Sequence, residues 1–153
     1  MIYGPGDYVR RFHPVLKRID DGRRFILLQE TVAEWKSPRR YVANVAAAVA
    51  LAAVDDRAAG RVYNVAERTG KFVVFPKDTT PAHLLFPGNA AQHWEADSLR
   101  IRQELEYREP VSIEEGIGRT IEWDRSYVPV SALPHPFDYA AEDAALRTKM
   151  SKI

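Results

Sequence analysis

Apolar and polar positions over residues 8–30 follow the pattern of one interrupted helix and one strand. Apolar side chains recur at intervals of three and four, which places them on one helical face: Val9, Phe12, Val15, Leu16 and Ile19. Pro14 lies inside this run and lacks a backbone N–H, so we expect a break near His13. Asp20-Asp21-Gly22 predicts a turn. The apolar run at 24–29 then predicts a short strand, and residues 30–40 an exposed connection.

Residues 45–55 form the strongest predicted helix, because they are rich in alanine and contain neither glycine nor proline. Asn44 stands where its side chain could cap the first turn. Small side chains nearly all round predict a helix that lies close against a sheet and is well buried. Gly60 closes this region, and residues 61–65 predict a strand with a buried character.

The second half of the chain predicts further strand and helix signals separated by proline-rich loops. A second apolar run at 71–76 follows the short link 67–70, so the pattern alone predicts a β-hairpin. Residues 77–96 predict a loop with one helical turn. Three helices follow, over 97–107 with Asp97 as cap, over 113–124 behind the capping box Ser112 to Glu115, and over 138–147.

Composition and charge narrow the class of protein. The chain has 153 residues, of which 46% are hydrophobic, as expected for one globular domain with a buried core. Its 22 Lys and Arg nearly balance 21 Asp and Glu, so no overall field would recruit nucleic acid or an anionic membrane. The chain lacks cysteine, which excludes disulfides, zinc–thiolate sites and a cysteine nucleophile. Without a long apolar segment or a signal-peptide pattern, we expect a cytoplasmic protein.

Few residues point to chemistry by themselves. The four histidines are scattered and do not have metal-ligand spacing: His13, His83, His93 and His135. Neither a Gly-x-Ser-x-Gly elbow nor a phosphate-binding loop is present. Glu114 and Glu115 suit acid–base work, but helix capping explains them better. Arg39 and Arg40 could hold a phosphate or carboxylate, and the alternative is a solvated basic loop.

Several short motifs, taken in order, resemble a known family. The sequence carries Tyr3-Gly4-Pro5-Gly6-Asp7, Tyr41-Val42-x-Asn44-Val45-Ala46 and Gly60-Arg61-Val62-Tyr63-Asn64-Val65. Later come Asp97-Ser98-x-Arg100-Ile101-Arg102, Tyr107-Arg108-Glu109-Pro110-Val111-Ser112 and Thr120-Ile121-Glu122-Trp123. This order resembles the C-terminal half of extended short-chain dehydrogenase/reductases, the NAD-dependent epimerase/dehydratase family, which acts largely on nucleotide sugars. The resemblance runs from residue 3 to about residue 125.

The resemblance implies an α/β fold, an incomplete Rossmann-like fragment with a small α/β substrate-binding part. Residues 1–125 would form this part and residues 126–153 a proline-rich tail. A complete family member binds NAD or NADP through a glycine-rich turn and uses a Tyr-x-x-x-Lys pair. This sequence contains neither motif. We therefore expect no catalytic residues, no cofactor-binding residues and no metal site in this chain, and a chain inactive alone.

Two departures from the family set further expectations. The glycine-proline corner at Gly4-Pro5-Gly6 should follow a strand, yet only two residues precede the motif. The link 67–70 is shorter than a strand–helix–strand crossover needs. These features suggest a truncated and internally shortened relative. Family members also usually carry an acidic residue where this chain has Ala43 or Asn44.

The resemblance also nominates substrate-binding residues and partners. The candidates for a small-molecule substrate such as a nucleotide sugar are Tyr3, Arg10, Phe12, Arg39, Arg40 and Asn44. An equal alternative for Tyr3 is a purely structural role, as the hydrophobic side chain that anchors the corner. The alternative function is a non-catalytic binding or oligomerisation module derived from the family. We expect a homo-oligomer, with strand exchange through 61–75 as one route, and neither nucleic acid nor membrane as a partner.

Overall fold

The computed structural model describes residues 1–67, 80–86, 88–127 and 137–151. Within these ranges the protein is mixed α/β, with two short strands and six α-helices. In chain order they are β1 (Ile2–Tyr3), α1 (His13–Asp20), α2 (Glu30–Ala33), β2 (Arg40–Tyr41), α3 (Val42–Val54), α4 (Leu99–Leu105), α5 (Ile113–Ser126) and α6 (Tyr139–Met150). Short 3₁₀ turns occupy Asp56–Ala58 and Ala82–Leu84. None of the helices in these ranges is long and apolar enough to cross a membrane.

The described residues form two compact units. The first unit comprises 1–22, 37–67 and 94–127. The second comprises 23–36, 80–86, 88–93 and 137–151. The division between residues 125 and 126 that the resemblance implies stays a prediction.

Strands β1 and β2 pair in parallel, with Ile2 opposite Arg40 and Tyr3 opposite Tyr41. Parallel strands need a long connection, and residues 4–39 provide it. Gly4 follows β1 with a φ of +142°, and a Cβ atom there would lie 2.5 Å from Cγ1 of Val42. Both the backbone angle and the close approach require glycine. The predicted corner after a strand is therefore confirmed.

Helix α1 begins where the proline signal places it. Its first helical residue is His13, and Pro14 occupies the first turn, where a missing N–H does not matter. Residues 8–12, which the pattern assigns to the same interrupted helix, are not helical, so His13 begins the helix and does not break one. The turn that follows is confirmed, since Gly22 has a φ of +70° and its N–H donates to the Ile19 carbonyl at 3.0 Å.

Helix α3 corrects two predictions. It begins at Val42 with Tyr41 as N-cap, so Asn44 lies inside its first turn and does not cap it. The helix is also less buried than expected, because only Asn44 and Ala48 are buried. Val49 is 63% exposed and Val54 is 83% exposed. The described sheet has two strands of two residues each, and the buried Ala48 packs instead against Ile101, Leu105 and Tyr107.

The strands predicted at 24–29 and 61–65 are wrong. Both stretches are irregular, apart from an isolated bridge at Gln29. Leu27 is nevertheless fully buried. An apolar run becomes a strand only when a neighbouring chain supplies hydrogen-bond partners, so burial of Leu27 alone does not form one. The strand at 71–76, the hairpin with its link after residue 67, and most of the exchange segment 61–75 lie outside the described residues.

The later helices follow their capping signals. The Ser112 hydroxyl accepts a hydrogen bond from the Glu115 N–H at 3.2 Å, which confirms that cap of α5. Asp138 caps α6 through the Ala141 N–H at 2.9 Å, at the start of the helix expected near 138–147. Helix α4 differs, since its N-cap is Ser98 and Asp97 accepts from the Leu99 N–H just ahead of it. The 3₁₀ turn at Ala82–Leu84 is the helical turn expected between 77 and 96.

Helix α4 ends two residues earlier than predicted because Glu106 adopts a left-handed conformation with a φ of +55°. This turn directs Tyr107 into the core of the first unit, where it packs with Ala48, Ile101 and Leu105. A second buried cluster of the same unit joins Tyr3, Tyr41 and Val111.

The second unit is held by polar contacts of α6. Glu142 is fully buried, and its Oε1 lies 3.0 Å from Nε2 of His83. The neighbouring Asp143 pairs with the Arg23 guanidinium. A buried carboxylate requires such a partner, so the pair with His83 ties the 3₁₀ turn to α6.

Candidate functional site

A cavity of about 640 Å³ lies in the first unit. Its apolar lining residues come from three segments of the chain and are Ala66, Ala96, Leu99, Val111 and Ile113. Its polar lining residues are Asn44, Glu67, Asp97, Ser98, Arg102, Glu109 and Ser112. Small-molecule sites are typically cavities of about 300–1,000 Å³ with apolar walls and a few polar groups. This cavity has both properties.

Asn44 fixes one wall of the cavity. Its amide nitrogen donates to the Val111 carbonyl at 2.9 Å, and its amide oxygen accepts from the Val111 N–H at 3.1 Å. The Tyr107 hydroxyl donates to the Asn44 backbone carbonyl at 2.8 Å. Asn44 is fully buried, and these bonds compensate the loss of water around its amide. Helix α3 is thereby joined to the segment before α5.

Arg102 and Glu109 form an ion pair on another wall. The Arg102 Nη1 donates to Oε2 of Glu109 at 2.8 Å, and its Nη2 donates to Oε1. The hydrogen bonds from Arg102 hold the pKa of the Glu109 carboxyl below its usual value. Arg102 also donates to the Ser98 hydroxyl at 3.3 Å. The guanidinium is therefore fixed in position before any ligand arrives.

Glu67 connects the cavity to the two strands. Its Oε1 accepts from the Tyr41 N–H at 2.6 Å, and its Oε2 accepts from the Tyr3 hydroxyl at 3.1 Å. Burial raises the pKa of Tyr3 well above its usual value, and the nearby Glu67 carboxylate raises it further. Tyr3 and Tyr41 are the last residues of β1 and β2. Glu67 thus bonds the last residue of each strand, Tyr3 through its side chain and Tyr41 through its backbone.

Asp97 and Ser98 line the cavity at the start of α4. Asp97 Oδ1 accepts from the Leu99 N–H at 2.8 Å, and the Ser98 hydroxyl donates to the Ala66 carbonyl at 3.3 Å. These bonds join α4 to the segment that ends in Glu67.

Of the six residues nominated by the resemblance, only Asn44 lines the cavity. Tyr3 is buried and reaches the cavity lining indirectly, through its bond to Glu67. Phe12 packs edge-on against Tyr3, with 5.2 Å between ring centroids. Tyr3 and Phe12 therefore pack together in the second buried cluster of this unit.

Arg10 belongs to a separate buried cluster. Its Nη2 donates to Oδ1 of Asp124 at 2.7 Å and to the Asp124 backbone carbonyl at 2.5 Å. His13 Nδ1 lies 2.7 Å from the same Oδ1. Arg10 also has a φ of +50°, a backbone conformation that is unfavourable for arginine. The cluster joins the corner loop to the end of α5 and lies away from the cavity lining.

Arg39 and Arg40 lie at the amino end of β2. The Arg39 carbonyl accepts from the Glu67 N–H at 3.0 Å. Partial burial lowers the pKa of the Met1 α-ammonium group, and the charges of Arg40 and Arg39 add to this effect. These two arginines therefore form a basic region near the N-terminus, and neither lines the cavity.

Sequence reasoning missed Glu67, Arg102 and Glu109 as site residues. Arg102 and Glu109 stand within the motifs that carry the resemblance, while Glu67 is the first residue of the short link 67–70. The only sequence signal for these three site residues is a charged side chain close to a predicted helix or strand. Their convergence on one cavity depends on tertiary contacts.

No protein-family model, curated protein or solved structure matches this chain. Within the described ranges, no group of three or more His, Cys, Asp or Glu side chains could hold a metal ion. The chemistry of the cavity therefore follows from its polar contacts and its shape.

Proposed function

We propose that this chain is the substrate-binding part of an NAD(P)-dependent epimerase/dehydratase-like oxidoreductase, and that its cavity receives a small-molecule substrate of the nucleotide-sugar class. The observation that carries the proposal is the cavity of about 640 Å³, with its fixed guanidinium and its buried amide. In this proposal the fold is an incomplete Rossmann-like fragment. NAD or NADP is bound by a complete family member and not by this chain alone.

The position of the cavity supports this proposal. In open α/β sheets, ligands bind beyond the carboxyl ends of parallel strands. Glu67 lines the cavity and bonds the last residue of β1 and the last residue of β2. The motifs that resemble the family supply the last residue of β1 and of β2, the Gly4 corner and most of the lining.

Thermal-shift measurements with the whole chain test the proposal. We expect a panel of nucleotide sugars to raise the melting temperature, and NAD or NADP alone to leave it unchanged. Ser98→Ala removes a lining hydroxyl and should reduce the sugar-nucleotide shift, whereas Ser126→Ala, at the exposed end of α5, should not. Stabilisation by the dinucleotides alone would overturn the proposal.

A second candidate function is a non-catalytic binding or oligomerisation module. The surface of α3 favours it, because all 13 residues of this helix are uncharged and Val49 and Val54 are largely exposed. Exposed apolar area of this kind promotes self-association. Sedimentation of the wild type and of Val49→Lys tests it. A homo-oligomer that dissociates in the variant supports this function, and a wild-type monomer at micromolar concentration contradicts it.

We also propose where the protein is located and which classes of partner it does not bind. We place the protein in the cytoplasm, which its cysteine-free composition supports. Its formal net charge of +1 gives no attraction to nucleic acid or to a membrane surface, so we propose neither as a partner.

A further inference from the structure

We infer that the cavity of the first unit receives the uncharged, hydroxyl-rich sugar ring of the substrate, and that the phosphate groups remain outside it. This inference rests on the proposed function, and it names which part of the ligand the cavity recognises. Four charged side chains among the described lining residues decide it.

The charge of the lining disfavours an anion. Glu67, Asp97 and Glu109 are acidic, and Arg102 is the basic residue among the described lining residues. Three carboxylates and one guanidinium give a formal charge of −2. A diphosphate inside the cavity would meet like charge at close range, which disfavours its binding.

Arg102 does not reverse this balance. Both of its terminal nitrogens donate to Glu109, and its Nε donates to Ser98. A phosphate would have to displace the Glu109 carboxylate from this pair and leave it without its partner. Breaking such a pair is unfavourable, so the guanidinium serves as a fixed donor and not as an anion receptor.

Neutral hydroxyl groups of a ligand can donate hydrogen bonds to the carboxylate oxygens of the lining. An ionised carboxylate has about four acceptor sites. From the described residues, Glu67 accepts two hydrogen bonds and Asp97 accepts one. Sugar hydroxyls can donate to the remaining sites, and the apolar face of a sugar ring can pack on Leu99 and Ile113. The cavity therefore offers acceptors and apolar walls, as a hydroxyl-rich ring requires.

The basic residues that could hold phosphates lie elsewhere in this unit. Arg39 and Arg40 act together on the α-ammonium group of Met1, and neither is part of the cavity lining. The Arg39 carbonyl accepts from the Glu67 N–H, so this basic pair lies beside the cavity and outside its lining.

Two-dimensional ¹H–¹⁵N NMR of the full chain tests the inference with separate probes for each part of the ligand. The probes are a panel of methyl hexosides, inorganic pyrophosphate, and UDP-glucose. We expect the hexosides and UDP-glucose to shift the backbone amide signals of Asp97, Ser98 and Leu99, and pyrophosphate to leave them unchanged.

Asp97→Asn is the matched variant, because an asparagine oxygen can still accept from the Leu99 N–H. It removes one charge and one acceptor, so hexoside affinity should fall about three- to tenfold. Glu114→Gln makes the same charge change at an exposed position of α5 and should leave the affinity unchanged. An equal effect of the two variants would overturn the inference, since it would indicate overall charge and not direct contact.

The other outcomes separate this inference from the proposed function. If UDP-glucose and pyrophosphate shift the Asp97–Leu99 signals and the hexosides do not, the inference is wrong and the proposed function stands. If neither UDP-glucose nor any hexoside shifts these signals, both are wrong.

Discussion

The Tyr3 hydroxyl donates to the Glu67 carboxylate at 3.1 Å, across 64 residues of chain. The other oxygen of that carboxylate accepts from the Tyr41 N–H. One side chain thus bonds residues of both strands and also lines the cavity. The site and the sheet are therefore coupled, and a change in this bond should be measurable in both.

Tyr3→Phe should lower the free energy of unfolding by about 1 kcal/mol, the usual contribution of one hydrogen bond, while the aromatic packing with Phe12 remains. Urea denaturation measures the change. Tyr8→Phe is the control, because Tyr8 is 92% exposed and should show no effect. Equal stability of wild type and Tyr3→Phe would show that the bond to Glu67 does not stabilise the fold.

Asp124→Asn should destabilise the first unit by about 3–5 kcal/mol, since it leaves the buried Arg10 guanidinium without its counter-charge. The matched control is Asp20→Asn, which removes the exposed pair of Asp20 with Arg125. That change should lower the free energy of unfolding by less than about 1 kcal/mol. Similar losses in the two variants would contradict a special role for the buried cluster.

Gly4→Ala should destabilise the protein by about 2 kcal/mol or more, because a Cβ atom would meet Val42 and the backbone angle is unfavourable for alanine. Gly118→Ala is the opposite case. It lies inside α5, and an added Cβ there has no atom within 4 Å. Alanine should stabilise this helix by about 1 kcal/mol. In thermal denaturation the melting temperature should fall for Gly4→Ala and rise for Gly118→Ala. An unchanged melting temperature for Gly4→Ala would contradict the close approach of Gly4 to Val42.

Acidic pH should lower the free energy of unfolding, because Glu109 in the cavity wall becomes protonated. Hydrogen bonds from Arg102 lower the pKa of this carboxyl in the folded protein. The unfolded chain therefore binds the proton more readily, and the stabilisation is present above the unfolded pKa of about 4.3. It is lost as the pH falls through the lower, folded pKa.

Glu109→Gln should remove this part of the pH dependence. Unfolding free energies measured between about pH 7 and pH 3 should decline less steeply in the variant than in the wild type. Glu106→Gln, which alters a largely exposed carboxylate nearby, should keep the wild-type slope. Identical slopes for wild type and Glu109→Gln would show that the pair with Arg102 is not linked to stability.

Local signals in the sequence were sufficient for several elements. Pro14 marks the start of α1 and Ser112 caps α5, because each acts on residues within one turn of itself. Asn44 could not be interpreted in this way. Its partner is Val111, 67 residues away, and only the tertiary fold shows that its side chain joins two segments and does not cap a helix.

A local sequence pattern also does not show which segments pair as strands or which distant residues meet at one site. The apolar runs at 24–29 and 61–65 have strand-like composition, but a strand forms only where another segment offers hydrogen bonds. The cavity raises the same difficulty, since Glu67, Arg102 and Glu109 are brought together by the packing of three segments. The identity of each residue is visible in the sequence, whereas their common location is not.

Binding of UDP-glucose to the wild type and to Ala96→Trp tests the central claim most directly. Ala96 lines the cavity, so an indole there should fill the space of the ligand and weaken binding at least about tenfold, as isothermal titration calorimetry would report. Ala91→Trp, at an exposed position outside the cavity, should bind as the wild type does. Unchanged affinity in Ala96→Trp would contradict the claim that this cavity is the substrate site.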